Sequence, residues 1–327
     1  MTIITLGIDI AKASFDAALL QDEQYEVRHF SNDLDGYRKL HKWLKKRQAR
    51  SCHVCLEATG RYGEGVANFL HEQGYTVSVI NPARLKAYAA SKLQRVKTDR
   101  QDARLLADFC ATQKPDQWSP PAAELIELQA LTRHLQALQE DRQRARNRLH
   151  AANPSDRVNQ AIAEQIAFLD AQIAELEKQI QQHIDQNPNL RQQHDLLTSI
   201  PGIGDKSAAV ILAEMPDPQQ FPQAGQMAAY AGLTPRIRQS GTSVSGRSKL
   251  SKTGNARLRT ALFMPALVAL RYNPRIQALA ERLTERGKSK MTIVGAAMRK
   301  MLHLAYGVLK TGKPFDPDYL VNVQVTS

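Results

Sequence analysis

The apolar pattern of this chain changes period once, near Ala122, and that change sets what it can fold into. Upstream, short apolar runs of strand length alternate first with turns and then with helical segments. Downstream, apolar residues recur every three or four positions. The runs TIITLGIDI (2–10), SFDAALL (14–20) and QYEVRHF (24–30) read as three strands of a meander. Helical spacing follows at 33–48, where Leu34, Tyr37, Leu40 and Leu44 share a face. CHVCLEAT (52–59) and YTVSVI (75–80) read as further strands, with helices expected at 61–73, 83–93 and 99–113. Strands first, then strand and helix in alternation, predict a mixed α/β domain over 1–115.

Residues 116–189 are expected to form a helical, coiled-coil region. Leu125, Leu128, Leu131, Leu135 and Leu138 line one helix face. After a break at Asn153-Pro154, Ile162, Ile166, Leu169, Ile173, Leu176, Ile180 and Ile184 follow at coiled-coil spacing. An intramolecular helical hairpin and an intermolecular coiled coil both satisfy this pattern. A third, mainly α domain is expected over 190–327. In it Pro201-Gly202-Ile203-Gly204, between two apolar helical stretches, reads as a helix-hairpin-helix turn. Such a turn can bring Gly202, Gly204 and the following helix, with Lys206, onto a phosphate, or it can be a tight turn between packed helices.

Charge is distributed unevenly. From Pro235 to Lys313 there are 17 Lys and Arg against two acidic residues, Glu281 and Glu285, a net +15. The remainder, with 27 basic and 30 acidic residues, carries −3. A basic block of this kind neutralises phosphates and releases counterions, which points to a nucleic-acid partner. The N-terminal run lacks a basic start and is interrupted by Asp9, so it reads as a strand and not as a signal peptide. No window approaches the ~20 apolar residues of a membrane span. Three cysteines make no disulfide framework, and the cytoplasm, in association with the nucleoid, is the expected location. Cys52-x-x-Cys55 lies within a strand without a second pair and reads as buried strand cysteines, Trp43 and Trp118 as packing residues.

Four carboxylates stand out. Asp9 lies at the end of an apolar strand, where an acid is costly to bury unless something pairs with it. Glu57 repeats the anomaly after Val54-Cys55-Leu56. Asp99 and Asp102, three apart at a helix start, share one face. Singly, each has an ordinary explanation: an acid turned to solvent, or charge complementing a helix dipole. Together they suggest a cluster that holds Mg²⁺ (or Mn²⁺) with hard oxygen ligands, where the cation also relieves the repulsion between the acids.

GIDIAK around Asp9, LEATG around Glu57, and KTDRQDARLLADF around Asp99 and Asp102 resemble the DEDD insertion-sequence transposases. That family includes the pilin-gene invertase (Piv) group, recognised as bridge-RNA-guided recombinases. The resemblance runs over nearly the whole chain, through PGIG, GLTP…SG…G, LRTALFMPA and AYGVLKTGKPF. It implies a RuvC-like (ribonuclease-H-type) fold for the first domain and four magnesium-binding acids. The segment GLTPRIRQSGTSVSGRSKLSKTGN holds five serines, and composition does not choose among them. The resemblance does, placing a nucleophile at Ser240, followed by Gly241. With no histidine nearby in sequence, the metal cluster is the expected activator of the serine. Arg236, Arg238, Arg247, Lys249 and Lys252 are expected on phosphates.

The reading is therefore a transposase or site-specific recombinase that passes through a phosphoserine link. Donor and target DNA, a guide RNA and further copies of the chain, as a dimer or tetramer, are the expected partners, the RNA by resemblance alone. A metal-dependent junction-resolving nuclease using water, and a catalytically silent nucleic-acid-binding protein, are the competing readings.

Overall fold

The computed structural model describes residues 4–58, 61–92, 98–151, 155–236, 239–240, 244–245 and 249–318. The chain divides into two compact units, Met1–Pro121 and Ala122–Ser327. The first is mixed α/β and the second mainly helical.

In the first unit the order is β1 (Thr5–Ile10), β2 (Ser14–Gln21), β3 (Gln24–Ser31), α1 (Leu34–Lys46), β4 (His53–Glu57), α2 (Glu64–Glu72), β5 (Thr76–Ile80), α3 (Pro82–Ser91) and α4 (Asp99–Gln113). The sheet runs β3-β2-β1-β4-β5. The three meander strands pair antiparallel, while β1, β4 and β5 run parallel. This order is compatible with the ribonuclease-H-type sheet expected above. A two-residue turn joins β2 to β3, with Asp22 and Glu23 both at positive φ, as a hairpin matched to strand twist requires. Local signals set the helix starts. The Asp33 carboxylate accepts from Gly36 N at 2.8 Å to cap α1, and Asn81 caps α3 ahead of Pro82.

Alternation along the central strands gives the sheet two apolar faces. Leu6, Ile8, Val54 and Leu56 pack with Leu40, Trp43, Leu44, Val66 and Leu70 of α1 and α2. On the other face Cys55 and Ile80 meet Leu85, Leu105, Leu106, Phe109 and Cys110 of α3 and α4.

The second unit begins with two long helices, α5 (Ala123–His150) and α6 (Asp156–Gln186). They lie antiparallel: His183 Nε2 bonds the Glu124 carbonyl at 2.8 Å, Arg142 pairs with Asp170 at 2.7 Å, and Arg148 bonds Gln165 at 2.8 Å. Of the expected α6 seam, Leu169, Ile173, Leu176, Ile180 and Ile184 are buried, while Ile162 and Ile166 are half-buried. Then come α7 (Pro188–Thr198), α8 (Asp205–Glu214) and α9 (Ala224–Tyr230). Two short strand pairs follow: β6 (Pro235–Arg236) with β9 (Lys249–Leu250), and β7 (Gln239–Ser240) with β8 (Val244–Ser245). The unit closes with α10 (Ala256–Ala261), α11 (Phe263–Tyr272), α12 (Pro274–Glu285) and α13 (Lys290–Thr311) around one core. Among the described residues no helix is long and apolar enough to cross a membrane.

Candidate catalytic site

Parallel pairing of β1 with β4 runs from Thr5 beside His53 to Ile8 beside Leu56. Asp9 and Glu57 are the next residues along. They are neighbours at the carboxyl ends of two central strands, where the apolar run gives out and the backbone can turn to solvent.

The helix that brings the other two acids is admitted by a glycine. A Cβ placed on Gly7 would meet Ala103 O at 2.1 Å, Ala107 N at 2.3 Å and Leu106 Cβ at 2.8 Å. Only a residue without a side chain lets α4 lie this close to β1. Thr5 Oγ1 donates to Ala107 O at 2.8 Å, two residues back along β1 and further along α4. Following β1 forward from Thr5 through Gly7 to Asp9 therefore follows α4 backward from Ala107 through Ala103 toward its first turn. That turn carries Asp99 and Asp102, and is capped by Thr98, whose hydroxyl accepts from Gln101 N.

The charge around Asp9 comes from the other three acids. The Asp9 carboxyl is pushed up from 3.8 to about 6, first by burial, then by the charges of Asp102, Asp99 and Glu57, against one favourable backbone N–H from Ile10. Asp9, Glu57 and Asp102 are half-buried and Asp99 is exposed. The acids do not form a closed ligand set. Among the described residues, three potential ligand atoms come within 4.8 Å of one another at His53, Cys55 and Cys110, not at the carboxylates. An all-oxygen donor set in mutual repulsion nevertheless fits a hard divalent cation, which would draw the carboxylates together.

One acid escaped the sequence reading. Asp16 stands directly across the β1–β2 ladder from Asp9, is 7% exposed, and lies 3.3 Å from His29 Nδ1. Its signal was there: an acid inside the apolar alternation of SFDAALL. Gly7 escaped as well.

In the second unit Ser240 lies on β7, in register with Val244. Its side chain and that of Lys249 lie outside the described residues, as do Arg238, Gly241 and Arg247. The base of this segment is closed. Ser251 N donates to Thr234 O, Lys252 N to Gly232 O, and Asn255 N to Tyr230 O. Gly232 and Gly254, both at positive φ, sit where a Cβ would strike Thr253 O at 2.8 Å and Tyr230 O at 2.1 Å. Beneath the closure is a buried carboxylate, Glu214, 4% exposed. It accepts from Arg133 Nε at 2.7 Å, from a second Arg133 nitrogen at 3.1 Å, and from Asn255 Nδ2 at 2.9 Å. Asn255 Oδ1 in turn caps α10 at Leu258 N. No local motif announces these residues, because the partners come from three distant stretches of chain.

The expected phosphate contacts divide. Arg236 and Lys252 are exposed. Lys206 is paired with Glu177 of α6 at 2.6 Å. The missing side chain of Gly202 is taken up by α11, with Pro265 O and Ala269 Cβ at 2.9 Å from a built Cβ, whereas Gly204 is open at the start of α8.

Comparison with known proteins identifies the family. A DEDD transposase family model of the IS110 type matches residues 6–152, and the "Transposase IS116/IS110/IS902 family" model matches residues 194–281. The pilin gene-inverting protein of Moraxella bovis is 36% identical over 95% of this chain and 97% of its own length, and that of Moraxella lacunata is equally similar. A probable family 20 transposase of Pseudomonas aeruginosa is 27% identical over 83% of this chain and 85% of its own. With the acid-bearing unit and the serine-bearing unit each matched, the chain belongs to the IS110/Piv-type DEDD transposases and is a DNA transposase or recombinase.

Proposed function

We propose that this protein cuts and rejoins DNA strands at a Mg²⁺ (or Mn²⁺) site held by Asp9, Glu57, Asp99 and Asp102 on a RuvC-like fold, with Ser240 as nucleophile. The observation that carries the reading is the side-by-side placement of Asp9 and Glu57 at the carboxyl ends of β1 and β4, where burial first, and then the charges of Asp102, Asp99 and Glu57, raise the Asp9 carboxyl to about 6. Such a group ionises fully at neutral pH when a cation shares its surroundings. The bound ion would supply charge neutralisation and polarise the phosphate oxygens. Asp9 and Glu57, fixed by the sheet, set the position of the site, and the first turn of α4 supplies the remaining two donors.

Ser240 Oγ forms a bond to the scissile phosphorus as its proton leaves. One phosphate ester bond of the DNA breaks, and the departing DNA oxygen takes a proton. The resulting phosphoserine ester conserves the bond energy, so a DNA hydroxyl can reverse the attack without a nucleotide cofactor. Arg236, Arg238, Arg247, Lys249, Lys252 and, at the α7–α8 turn, Gly204 and Lys206 hold neighbouring phosphates. Donor and target DNA are the substrates, a structured noncoding RNA guides the choice of site, and a homo-oligomer in the cytoplasm does the work. The net +15 of residues 235–313 suits RNA as well as DNA.

The test is a trapped adduct. Protein incubated with Mg²⁺ and DNA bearing the element ends should yield a covalent complex whose digest contains phosphoserine at Ser240, lost in Ser240→Ala and under chelation. Cutting that persists in Ser240→Ala without an adduct would assign the attack to water. DNA binding with no cutting under any condition would leave a binding protein. RNA that co-purifies and is required for site choice supports the guide; full activity after ribonuclease treatment overturns it.

A further inference from the structure

The sheet face that carries the acids also carries a second set of ligands of opposite chemical character. His53, Cys55 and Glu57 alternate along β4 and so share one face. Opposite them, α4 presents Asp102 near its start and Cys110 two turns later, about 12 Å along the helix. The strand–helix seam therefore holds oxygen donors at one end. At the other are a ring nitrogen of His53 and the Sγ atoms of Cys55 and Cys110, within 4.8 Å of one another.

We infer that His53, Cys55 and Cys110 form a site for a thiophilic cation of the Zn²⁺ class, separate from the carboxylate site and independent of the reading of that site given above. Two features on the same seam support it. Both thiols are enclosed, Cys55 at 0% and Cys110 at 1% exposure, while His53 is half-buried at the edge. Such a site excludes a large ligand and leaves a path for an ion. His53 is also oriented as a ligand would be. Its Nε2 lies 2.7 Å from Ser78 Oγ, and the Ser78 hydroxyl donates to Asp116 O at 2.7 Å or Pro115 O at 3.2 Å. With its proton so used, Ser78 can only accept from Nε2–H, which leaves Nδ1 unprotonated with a free lone pair. This outer-shell arrangement fixes the tautomer that metal binding needs. Cation binding expels both thiol protons to solvent.

Thiolate and imidazole select Zn²⁺ over Mg²⁺, and the carboxylates select the reverse. Three protein ligands leave a fourth position for water or a small anion. A cation here joins β4 to α4, the two elements that carry Glu57 and Asp99/Asp102.

The experiment is a Co²⁺ titration of the full-length, chelator-treated protein in a phosphine reductant. One equivalent of Co²⁺ should produce thiolate-to-cobalt charge-transfer absorption, bleached by one equivalent of Zn²⁺ and unaffected by excess Mg²⁺. Cys55→Ser and Cys110→Ser should abolish the absorption, Cys52→Ser should retain it, and Ser78→Ala should weaken Zn²⁺ binding roughly 10-fold or more. His53→Gln, altered at the exposed edge, serves if a cysteine variant fails to fold, and should also lose the absorption. Absence of thiolate bands in the wild-type protein, their displacement by Mg²⁺, or their survival in Cys110→Ser or His53→Gln would overturn the assignment. Loss of DNA cutting has no bearing on this readout, so failure of the soft site and failure of the carboxylate site are told apart.

Discussion

Gly7 of β1 lies under Ala103 of α4 so closely that a methyl group on the glycine would come within 2.1 Å of the alanine's carbonyl oxygen. The neighbouring atoms are backbone, which no rotamer change can move aside. Gly7→Ala should therefore displace α4 from the sheet and cost about 3 kcal/mol or more, at the severe end of overpacking. Denaturant unfolding measures this. Because the displaced helix carries Asp99 and Asp102, the folded fraction should also lose metal-dependent cutting.

Asp9 gives a pH prediction with a definite sign. Its carboxyl is raised from 3.8 to about 6 in the folded, metal-free protein, so the folded state holds a proton that the unfolded state has released. Metal-free stability should fall as pH rises from about 4 through about 6, the opposite of the usual salt-bridged carboxylate. Asp9→Asn removes that slope. Compared with wild type under chelation, it should gain stability above about pH 6 and show no such gain near pH 4, while DNA cutting is abolished. A variant–wild-type difference that does not change with pH would count against the coupling.

Glu214 is buried with both oxygens engaged by Arg133 and Asn255. Glu214→Ala removes the buried carboxylate that Arg133 and Asn255 share and should cost about 3–5 kcal/mol. The neck at Gly232 and Asn255 should become susceptible to protease before the rest of the unit unfolds. Limited proteolysis with mapping of the first cut checks this.

On the helical hairpin, burial decides the outcome. Ile180→Ala, at a site 6% exposed, should cost about 2–4 kcal/mol. Asp170→Asn, which breaks the half-exposed pairs to Arg142 and Arg146, should cost far less than Ile180→Ala, since solvent screens exposed ion pairs. Phe168→Ala should leave monomer stability nearly unchanged, since that ring is 63% exposed. Thermal denaturation ranks the three.

Arg236→Ala tests the nucleic-acid surface. Arg236 is exposed on β6 and makes no ion pair among the described residues. Its loss should weaken DNA binding similarly across sequences and reduce the slope of log affinity against log salt by about 1.

Much of the fold was legible because it rests on period. Strands and helices fall where the apolar spacing put them, from the meander to the α6 seam. Asp9 and Glu57 were legible for a related reason: an acid ending an apolar strand is anomalous on its own line of sequence. What stayed hidden depends on partners far along the chain. Gly7 matters through Ala103, and Glu214 through Arg133 and Asn255. The cysteines show the limit most clearly. The Cys52-x-x-Cys55 spacing draws the eye to a pair, but residues three apart on an extended chain face opposite ways. Cys52 enters the core under α1 and α2 and Cys55 the core under α4. The relevant neighbour is Cys110, which no local spacing indicates. Gly202 carried two readings, and the packing of α11 against it favours the tight turn between packed helices over phosphate approach.

The closed neck beneath the serine segment has a consequence for how such a chain can diverge. Because the ends at Gly232 and Asn255 are tied by backbone bonds to each other and through Asn255 to Glu214, lengthening or rewriting what lies between them costs only slowly growing loop-closure entropy. Within that stretch Leu233 and Leu250 pack into the helical core and Gly254 belongs to the neck, so these positions must be kept. The rest behaves as an exchangeable cassette, so segments transplanted between relatives at these two ends should fold on the recipient body and carry their own preferences with them.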